Sequence, residues 1–231
     1  MKVLVIDVGG TNVKVSHSDH DETRRFPSGS ELTPKQFLDE LKRITGDWEY
    51  EVISLGLPAP IKQGKAAIEP KNLGAGWKNF DFSESFEKPV KVINDAALQA
   101  LGSYHGGRML FLGLGTGLGS TLIVEDAVIP LELGQLKISR TKCLTDVVSD
   151  AGLEKIGEEK WREEVTAMVE LLSTVFMTDY VVIGGGNAEK LGQLPHGMQR
   201  GHNRDALEGG IRLWERAPEV ADAGRHVWKV I

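Results

Sequence analysis

A unit of apolar strand, glycine-rich turn and second strand occurs twice in this chain, and it constrains the fold more than any other feature. The first copy runs from the strand Lys2–Val8 through Gly9-Gly10 to the strand Val13–His17. The second copy runs from Met109–Leu114 to Thr121–Glu125 and contains the stretch LGLGTGLGS. A hairpin needs only one or two glycines, so the four in this stretch indicate that something approaches the backbone closely.

Strands and helices alternate around both units, which predicts an α/β architecture. Each unit is followed by a further strand and a helix, so we expect a duplicated fold of two lobes with a cleft between them. The expected N-terminal lobe covers residues 1–107, and the expected C-terminal lobe covers residues 108–231. The pattern also predicts a long amphipathic helix over Glu158–Thr178, a helix from about Asn187, and a last helix over Asp205–Trp214 that packs back on the N-terminal lobe.

Three glycine turns at strand ends are candidates for binding phosphate groups. Glycine lets backbone N–H groups approach an anion without a Cβ in the way. A plain hairpin is the alternative for the first turn, and the third turn, between a strand and a helix, is weak evidence by itself. The candidate phosphate- and nucleotide-binding residues are Asp7, Gly9, Gly10, Thr11, Asn12, Lys14, Gly115, Thr116, Gly117, Gly185 and Gly186. Asp7 ends a buried strand, where a carboxylate can hold a hydrated Mg²⁺.

Asp95 is the candidate for a catalytic base. It follows a short strand at the predicted start of a helix, where a carboxylate can project into a cleft and take a proton from a hydroxyl group. The alternative is that Asp95 only caps the helix, which is a common role for aspartate.

Two further segments offer polar groups that suit sugar hydroxyls. Asn72 lies in the irregular loop NLGAGW, and its amide can both donate and accept hydrogen bonds. Trp77 closes that loop, and packing is its commoner role. Glu132 follows a strand, so its carboxylate can accept bonds from neighbouring hydroxyls. A solvated surface glutamate is the alternative.

The composition argues against several classes of protein. The net charge of −6 over 231 residues disfavours a nucleic-acid partner, because such proteins usually carry a basic face. The single cysteine, Cys143, excludes a disulfide framework within the chain. No apolar run approaches the length of a membrane span, and the opening residues lack the cleavage region of a signal peptide. We therefore expect no membrane partner and a cytoplasmic location.

The chain resembles the ROK family of sugar kinases, most closely its short polyphosphate-glucokinase branch. The resemblance spans Val3 to about Trp214, and it lies in the order and spacing of the motifs. These motifs are DVGGTNVKV (7–15), GLPAP (56–60), NLGAGW (72–77), INDAALQALG (93–102), LGLGTGLGS (112–120), PLELGQL (130–136) and VVIGGGNAEKL (181–191). The resemblance implies the duplicated ribonuclease-H-like (sugar kinase/Hsp70/actin) fold.

The resemblance also implies roles for individual residues. Asp95 is expected to act as the general base on a hexose hydroxyl, the 6-hydroxyl if the sugar is glucose. The residues expected to bind the sugar are Asn72, Asn94, Asp95, Glu132 and Gln135. The expected phosphoryl donor is ATP or inorganic polyphosphate, with Mg²⁺ as the cofactor. A homodimer is expected by analogy with the family.

Some positions depart from the family's pattern. Gln135 stands where the family usually has a histidine, and Thr145 falls near the position of a second family glutamate. The Cys-rich zinc loop is reduced to Cys143 alone, so we expect no structural zinc. The departures leave the choice of sugar open.

Two other functions remain compatible with the sequence. One is a kinase for an amino sugar or another polyol, and the other is a non-catalytic sensor of sugars or nucleotides with the same fold. The use of polyphosphate would require basic residues along a groove beside the first two turns. The lysines available for this are Lys14, Lys62, Lys65, Lys71 and Lys78.

Overall fold

The computed structural model describes residues 1–202 and 204–215. The predicted C-terminal lobe therefore extends beyond the described residues, because it includes residues 216–231. Within the described ranges, no helix is both long enough and apolar enough to cross a membrane.

The first half of the chain forms a five-stranded sheet in the order β3-β2-β1-β4-β7. Strands β1 to β3 are antiparallel, whereas β4 pairs in parallel with β1, and β7 in parallel with β4. The five strands are β1 (Val3–Val8), β2 (Asn12–His17), β3 (His20–Pro27), β4 (Val52–Leu57) and β7 (Val90–Asn94), and a separate short hairpin consists of β5 (Ile61–Lys62) and β6 (Lys65–Ala66).

The second half forms another five-stranded sheet, in the order β10-β9-β8-β11-β12. Its strands are β8 (Arg108–Leu114), β9 (Leu118–Val124), β10 (Ala127–Leu131), β11 (Tyr180–Gly184) and β12 (Met198–Arg200). Three antiparallel strands are again followed by two parallel ones. The same order and the same directions in both sheets confirm the predicted duplication.

Helices cover both faces of the sheets. They are α1 (Pro34–Thr45), α2 (Phe82–Ser85), α3 (Asp95–Ser103), α4 (Thr145–Val148), α5 (Asp150–Ile156), α6 (Glu158–Phe176) and α7 (Asp205–Glu215). The dipeptide Thr33-Pro34 predicts the cap and first position of a helix. Helix α1 begins in this way, since the side chain of Thr33 accepts a bond from Gln36 N and Pro34 takes the first position.

Alternation along β1 divides the core into layers, because neighbouring side chains of a strand point to opposite faces. Leu4 and Ile6 join the apolar cluster that contains Phe37 of α1. Val3 and Val5 join a central cluster with residues of α3 and α7. A third cluster lies on the outer face of the second sheet, under α6. Helices α3 and α7 therefore lie between the two sheets.

The prediction of a helix from about Asn187 is wrong. A single 3₁₀ turn, Ala188–Leu191, takes its place. Gly192 ends the turn with φ +66°, a conformation that a continuing right-handed helix does not use.

The backbones of α3 and α7 touch at two glycines. A Cβ on Gly102 would overlap the carbonyl oxygen of Asp205, and a Cβ on Gly209 would overlap that of Leu98. Ser54 of β4 also donates a hydrogen bond of 2.7 Å to Gly210 O. Although α7 follows the second sheet in the chain, it thus packs against the first.

Gly209→Ala tests this close crossing. We expect it to lower the free energy of unfolding by about 2 to 3 kcal/mol, because the added methyl group forces the two helices apart. Urea denaturation measures the change, and Glu208→Ala, at an exposed neighbouring position of α7, serves as the control. Equal stability of the two variants would contradict the packing described.

Candidate functional site

The first glycine turn meets the second turn and the NLGAGW loop. Within the first turn, Gly9 N donates to Asn12 O at 3.0 Å. A Cβ placed on Gly10 would lie 3.2 Å from Asn72 Nδ2 and 3.5 Å from Thr116 Oγ1. Three segments that are distant in sequence therefore converge at Gly10.

The third turn adjoins the start of the second. Asn187 N donates to Leu114 O at 3.1 Å. Gly185 has φ +83°, and a Cβ there would lie 2.6 Å from Leu114 N, so glycine is required at this approach. From α5, Asp150 N donates to Gly115 O at 2.9 Å and braces the second turn.

Asp95 is the first residue of α3, but it is not the cap of that helix. The cap is Asn94, whose Oδ1 accepts a bond of 3.1 Å from Ala97 N. Asp95 Oδ1 accepts a bond of 2.8 Å from Ala96 N. Because Asn94 supplies the cap, the position of Asp95 is not explained by capping.

Asp7 lies close enough to Asp95 for its charge to affect the ionisation of Asp95. Burial, together with the smaller effects of the negative charges of Asp7 and Glu132, raises the pKa of Asp95 to about 7. Burial also raises the pKa of Asp7 to about 6, against the opposing effects of Lys14 and Gln99. A carboxyl group that titrates near neutral pH is suited to general-base catalysis.

The residues expected to bind the sugar differ in their exposure to solvent. Glu132 is exposed, and partial desolvation raises its pKa while the charge of Lys71, next to Asn72, lowers it. Gln135 is exposed in the 3₁₀ turn Leu133–Gln135 that follows β10. Asn94 is buried, and besides its capping bond its Nδ2 lies 3.4 Å from Ala59 O. The structure thus leaves Glu132 and Gln135 more accessible to a ligand than Asn94.

Two other residues singled out in the sequence lie beside the site. Trp77 is fully buried, donates a bond of 2.8 Å to Leu32 O and packs against Phe37, so it is a packing residue. Thr145 Oγ1 lies 3.8 Å from the position of a Cβ on Gly117, at the edge of the second turn.

A cavity of about 300 Å³ lies between the two sheets and is bordered by Asp7, Lys14 and Gly184–Gly186. Sequence reasoning missed seven polar residues that line it, namely Ser16, Thr23, Gln99, Glu189, Arg200, His202 and Asp205. Gln99 was detectable, because it lies four residues after Asp95 and thus on the same face of α3. Arg200 was not, because the three-residue strand β12 gave no recognisable pattern.

Magnesium fits this site through Asp7. Among the residues described, no cluster of three or more His, Cys, Asp or Glu side chains is arranged to hold a metal. Mg²⁺ does not require one, since it is usually bound by one or two carboxylates together with the phosphates of a substrate. Asp7 Oδ1 is buried and accepts no hydrogen bond from the described residues, as expected of an atom that awaits a cation or its water.

Comparison with known proteins identifies a family and several relatives. The model of the ROK family matches residues 3–132. The N-acetylmannosamine kinase of Citrobacter koseri is 28% identical over 141 residues, which cover 54% of this chain and 48% of that protein. The polyphosphate glucokinase of Mycobacterium leprae is 22% identical over 205 residues, covering 80% of this chain and 63% of that protein. The chain thus spans about half to two thirds of the length of these curated relatives.

Solved structures share the fold. The inorganic polyphosphate/ATP-glucomannokinase from Arthrobacter sp. strain KM superposes with a TM-score of 0.78 at 22% sequence identity, over 90% of this chain and 96% of that one. This likeness confirms the two-lobed ribonuclease-H-like fold.

The partly buried carboxyl group of Asp95 should reduce stability at neutral pH, because its pKa is raised. Its pKa is raised above that of the unfolded chain, so the folded chain retains a proton between about pH 4 and pH 7 that the unfolded chain has lost, and stability falls as the pH rises through this range. Asp95→Asn removes this loss. We expect the variant's stability relative to the unaltered protein to increase by on the order of 2 kcal/mol between pH 4 and pH 8.

Denaturation with urea at several pH values measures this difference. Asp39→Asn, at an exposed position of α1, is the control and should show no trend. A stability difference for Asp95→Asn that is independent of pH would contradict the assigned burial.

Proposed function

Since the chain belongs to the ROK family, we propose that it is a sugar kinase that transfers a phosphoryl group from ATP or polyphosphate to a hexose hydroxyl. The resemblance to the polyphosphate-glucokinase branch is confirmed by the relatives and by the structural likeness. The finer proposal is a glucokinase-like enzyme whose product is glucose 6-phosphate.

One observation carries the proposal, namely the convergence at Gly10 of the first two glycine turns, with Asp7 and Asp95 in electrostatic contact beside them. Backbone amides at such turns bind the phosphates of the donor. In our proposal the first two turns, with Thr11, Asn12 and Lys14, surround the transferred and neighbouring phosphates. Gly185 and Gly186 face the nucleoside when ATP is the donor.

The chemical step follows from the position of Asp95. Its ionised carboxylate accepts the proton of the sugar hydroxyl while that oxygen forms a bond to the terminal phosphorus. The bond from this phosphorus to the bridging oxygen breaks, and ADP or a shortened polyphosphate leaves. Catalysis of this kind depends mainly on alignment and charge stabilisation. Mg²⁺, held by Asp7 and the phosphates, supplies neutralisation of the phosphate charge when bound.

The sugar is proposed to lie on the side of Asp95 that faces Glu132. Glu132, Gln135 and Asn72 offer accessible groups for its hydroxyls, and Asn94 fixes the start of α3 beneath them. An amino sugar is the second candidate acceptor, because Gln135 replaces the usual histidine and one relative is an N-acetylmannosamine kinase.

The phosphoryl donor is less constrained than the acceptor. Lys14 borders the cavity. Lys65 forms an ion pair of 2.6 Å with Asp81, which reduces its availability for a polyphosphate chain. We therefore propose ATP and polyphosphate as alternative donors. By analogy with the family, we also propose that the protein is a cytoplasmic homodimer.

A coupled phosphorylation assay over a panel of sugars tests the function. We expect turnover with glucose or a related hexose, in the presence of Mg²⁺ and either ATP or polyphosphate. Turnover confined to N-acetylmannosamine or another amino sugar would show that an amino sugar, and not glucose, is the acceptor. Stabilisation by sugar without turnover, with every donor, would contradict a kinase and favour a sensor.

The role of Asp95 gives a second prediction. Asp95→Asn should lower kcat by about 10² to 10⁴-fold, since it removes the proton acceptor. In the unaltered enzyme, kcat/KM should rise with pH and level off above about pH 7, where Asp95 is ionised. Steady-state kinetics between pH 5 and pH 9 measure both effects.

Asp39→Asn again serves as the control, at an exposed position far from the turns in sequence. Robust turnover by Asp95→Asn would show that another group accepts the proton.

A further inference from the structure

Gln99 connects the catalytic helix to the carboxylate of the first strand. It lies one helical turn after Asp95 on α3, so both side chains project from the same face of the helix. Gln99 Nε2 donates a hydrogen bond of 3.2 Å to Asp7 Oδ2. The orientation of the amide is fixed, because an ionised carboxylate only accepts hydrogen bonds and must therefore face the NH₂ group.

The two oxygens of Asp7 thereby become different. Oδ2 is bonded to Gln99, whereas Oδ1 is buried and accepts no hydrogen bond from the described residues. A carboxylate held by one oxygen cannot rotate freely about its last bond, so the other oxygen keeps a fixed direction. A group that orients a ligand of a metal in this way commonly governs the affinity for that metal.

The other end of the same amide reaches the second half of the chain. Gln99 Oε1 lies 3.6 Å from the position that a Cβ on Gly184 would occupy. Gln99 also borders the cavity together with Lys14 and the third glycine turn. Gln99 thus occupies the side of the site where the phosphoryl donor is expected.

We propose that Gln99 is a positioning residue that orients Asp7 toward the magnesium complex of the phosphoryl donor. The inference rests on the proposed function, because it assigns Asp7 to the donor's metal. It goes further by giving a residue of the catalytic helix a task on the donor side that is separate from sugar binding. Asp95 then serves the sugar, and Gln99, one turn later, serves the phosphoryl donor.

Two variants separate this role from simple packing. Gln99→Met keeps the length of the side chain and removes the N–H donor, whereas Gln99→His retains a ring N–H at a similar distance. If orientation matters, Gln99→Met should raise the Mg²⁺ concentration for half-maximal rate about ten-fold, at fixed ATP. The KM for sugar should stay unchanged, and Gln99→His should recover part of the loss. Gln193→Met, at an exposed position, is the matched control.

A measurement without turnover distinguishes failure of this inference from failure of the proposed function. The thermal midpoint is measured with ATP in the presence of MgCl₂ or EDTA, without sugar. We expect a stabilisation that depends on Mg²⁺ in the unaltered protein and in Gln193→Met, and its loss in Gln99→Met. Such a result supports the role of Gln99 even if no sugar is phosphorylated.

Three outcomes overturn the inference. The first is a Mg²⁺-dependent stabilisation that is equal in Gln99→Met and the unaltered protein, or absent from both. The second is an equal rise in the KM values for sugar and for ATP. The third is a Gln99→His variant that performs no better than Gln99→Met. If Gln99→Met does not fold, Gln99→Ala, which also lacks the N–H donor, takes its place, and an unchanged Mg²⁺ requirement together with an unchanged Mg²⁺-dependent stabilisation overturns the inference.

Discussion

The close crossing of α3 and α7 determines where the two halves of the chain meet. Their backbones touch because Gly102 and Gly209 carry no side chains, and each helix then presses against a sheet. Within the first sheet β1 is parallel to β4, and within the second sheet β8 is parallel to β11. The C-terminal ends of parallel strands lie at one edge of their sheet, and a helix that follows such a strand starts at that edge. Asp7, Asp95 and Gly184 reach the cleft for this reason. A bulkier contact between the helices would separate groups that the chemistry needs together.

The same geometry concentrates negative charge in a poorly solvated place. Burial raises the pKa values of both Asp7 and Asp95, and the negative charge of Asp7 adds to the rise at Asp95. This arrangement opposes folding at neutral pH, and it provides a base whose affinity for protons matches that pH. Lys14 and Gln99 act in the opposite direction and favour the ionised form of Asp7. The buried carboxylates therefore lower the stability of the fold at neutral pH and at the same time provide a reactive base.

Much of this organisation could be predicted from the sequence. Strong signals came from apolar strands ending in glycine, and from the Thr33-Pro34 start of α1, because local chemistry dictates both. The long helix α6 was also predicted within two residues of its observed end. Asp95 was identified correctly as a residue at the start of α3. Its neighbour Asn94 proved to be the cap. The local sequence could not decide between the two residues, because asparagine and aspartate cap helices equally well.

The elements that sequence reasoning missed depend on distant contacts. Strand β12 has three residues and exists because it pairs with β11, so Arg200 and His202 gave no local signal. Helices α4 and α5 are short, and packing rather than propensity maintains helices of such length. The expected helix after Asn187 failed for a local reason instead, since Gly192 ends the turn before a second turn can form. Arg200 of β12 and Glu189 of the 3₁₀ turn were recognised as cavity-lining residues only in three dimensions.

A crystal structure with glucose and a non-hydrolysable ATP analogue tests the central claim most directly, which is that Asp95 faces the phosphates across a shared cleft. The account predicts a sugar hydroxyl within about 3 Å of an Asp95 carboxylate oxygen, in line with the terminal phosphate between the first two glycine turns. A sugar bound away from Asp95, or a nucleotide that does not contact these turns, would contradict it.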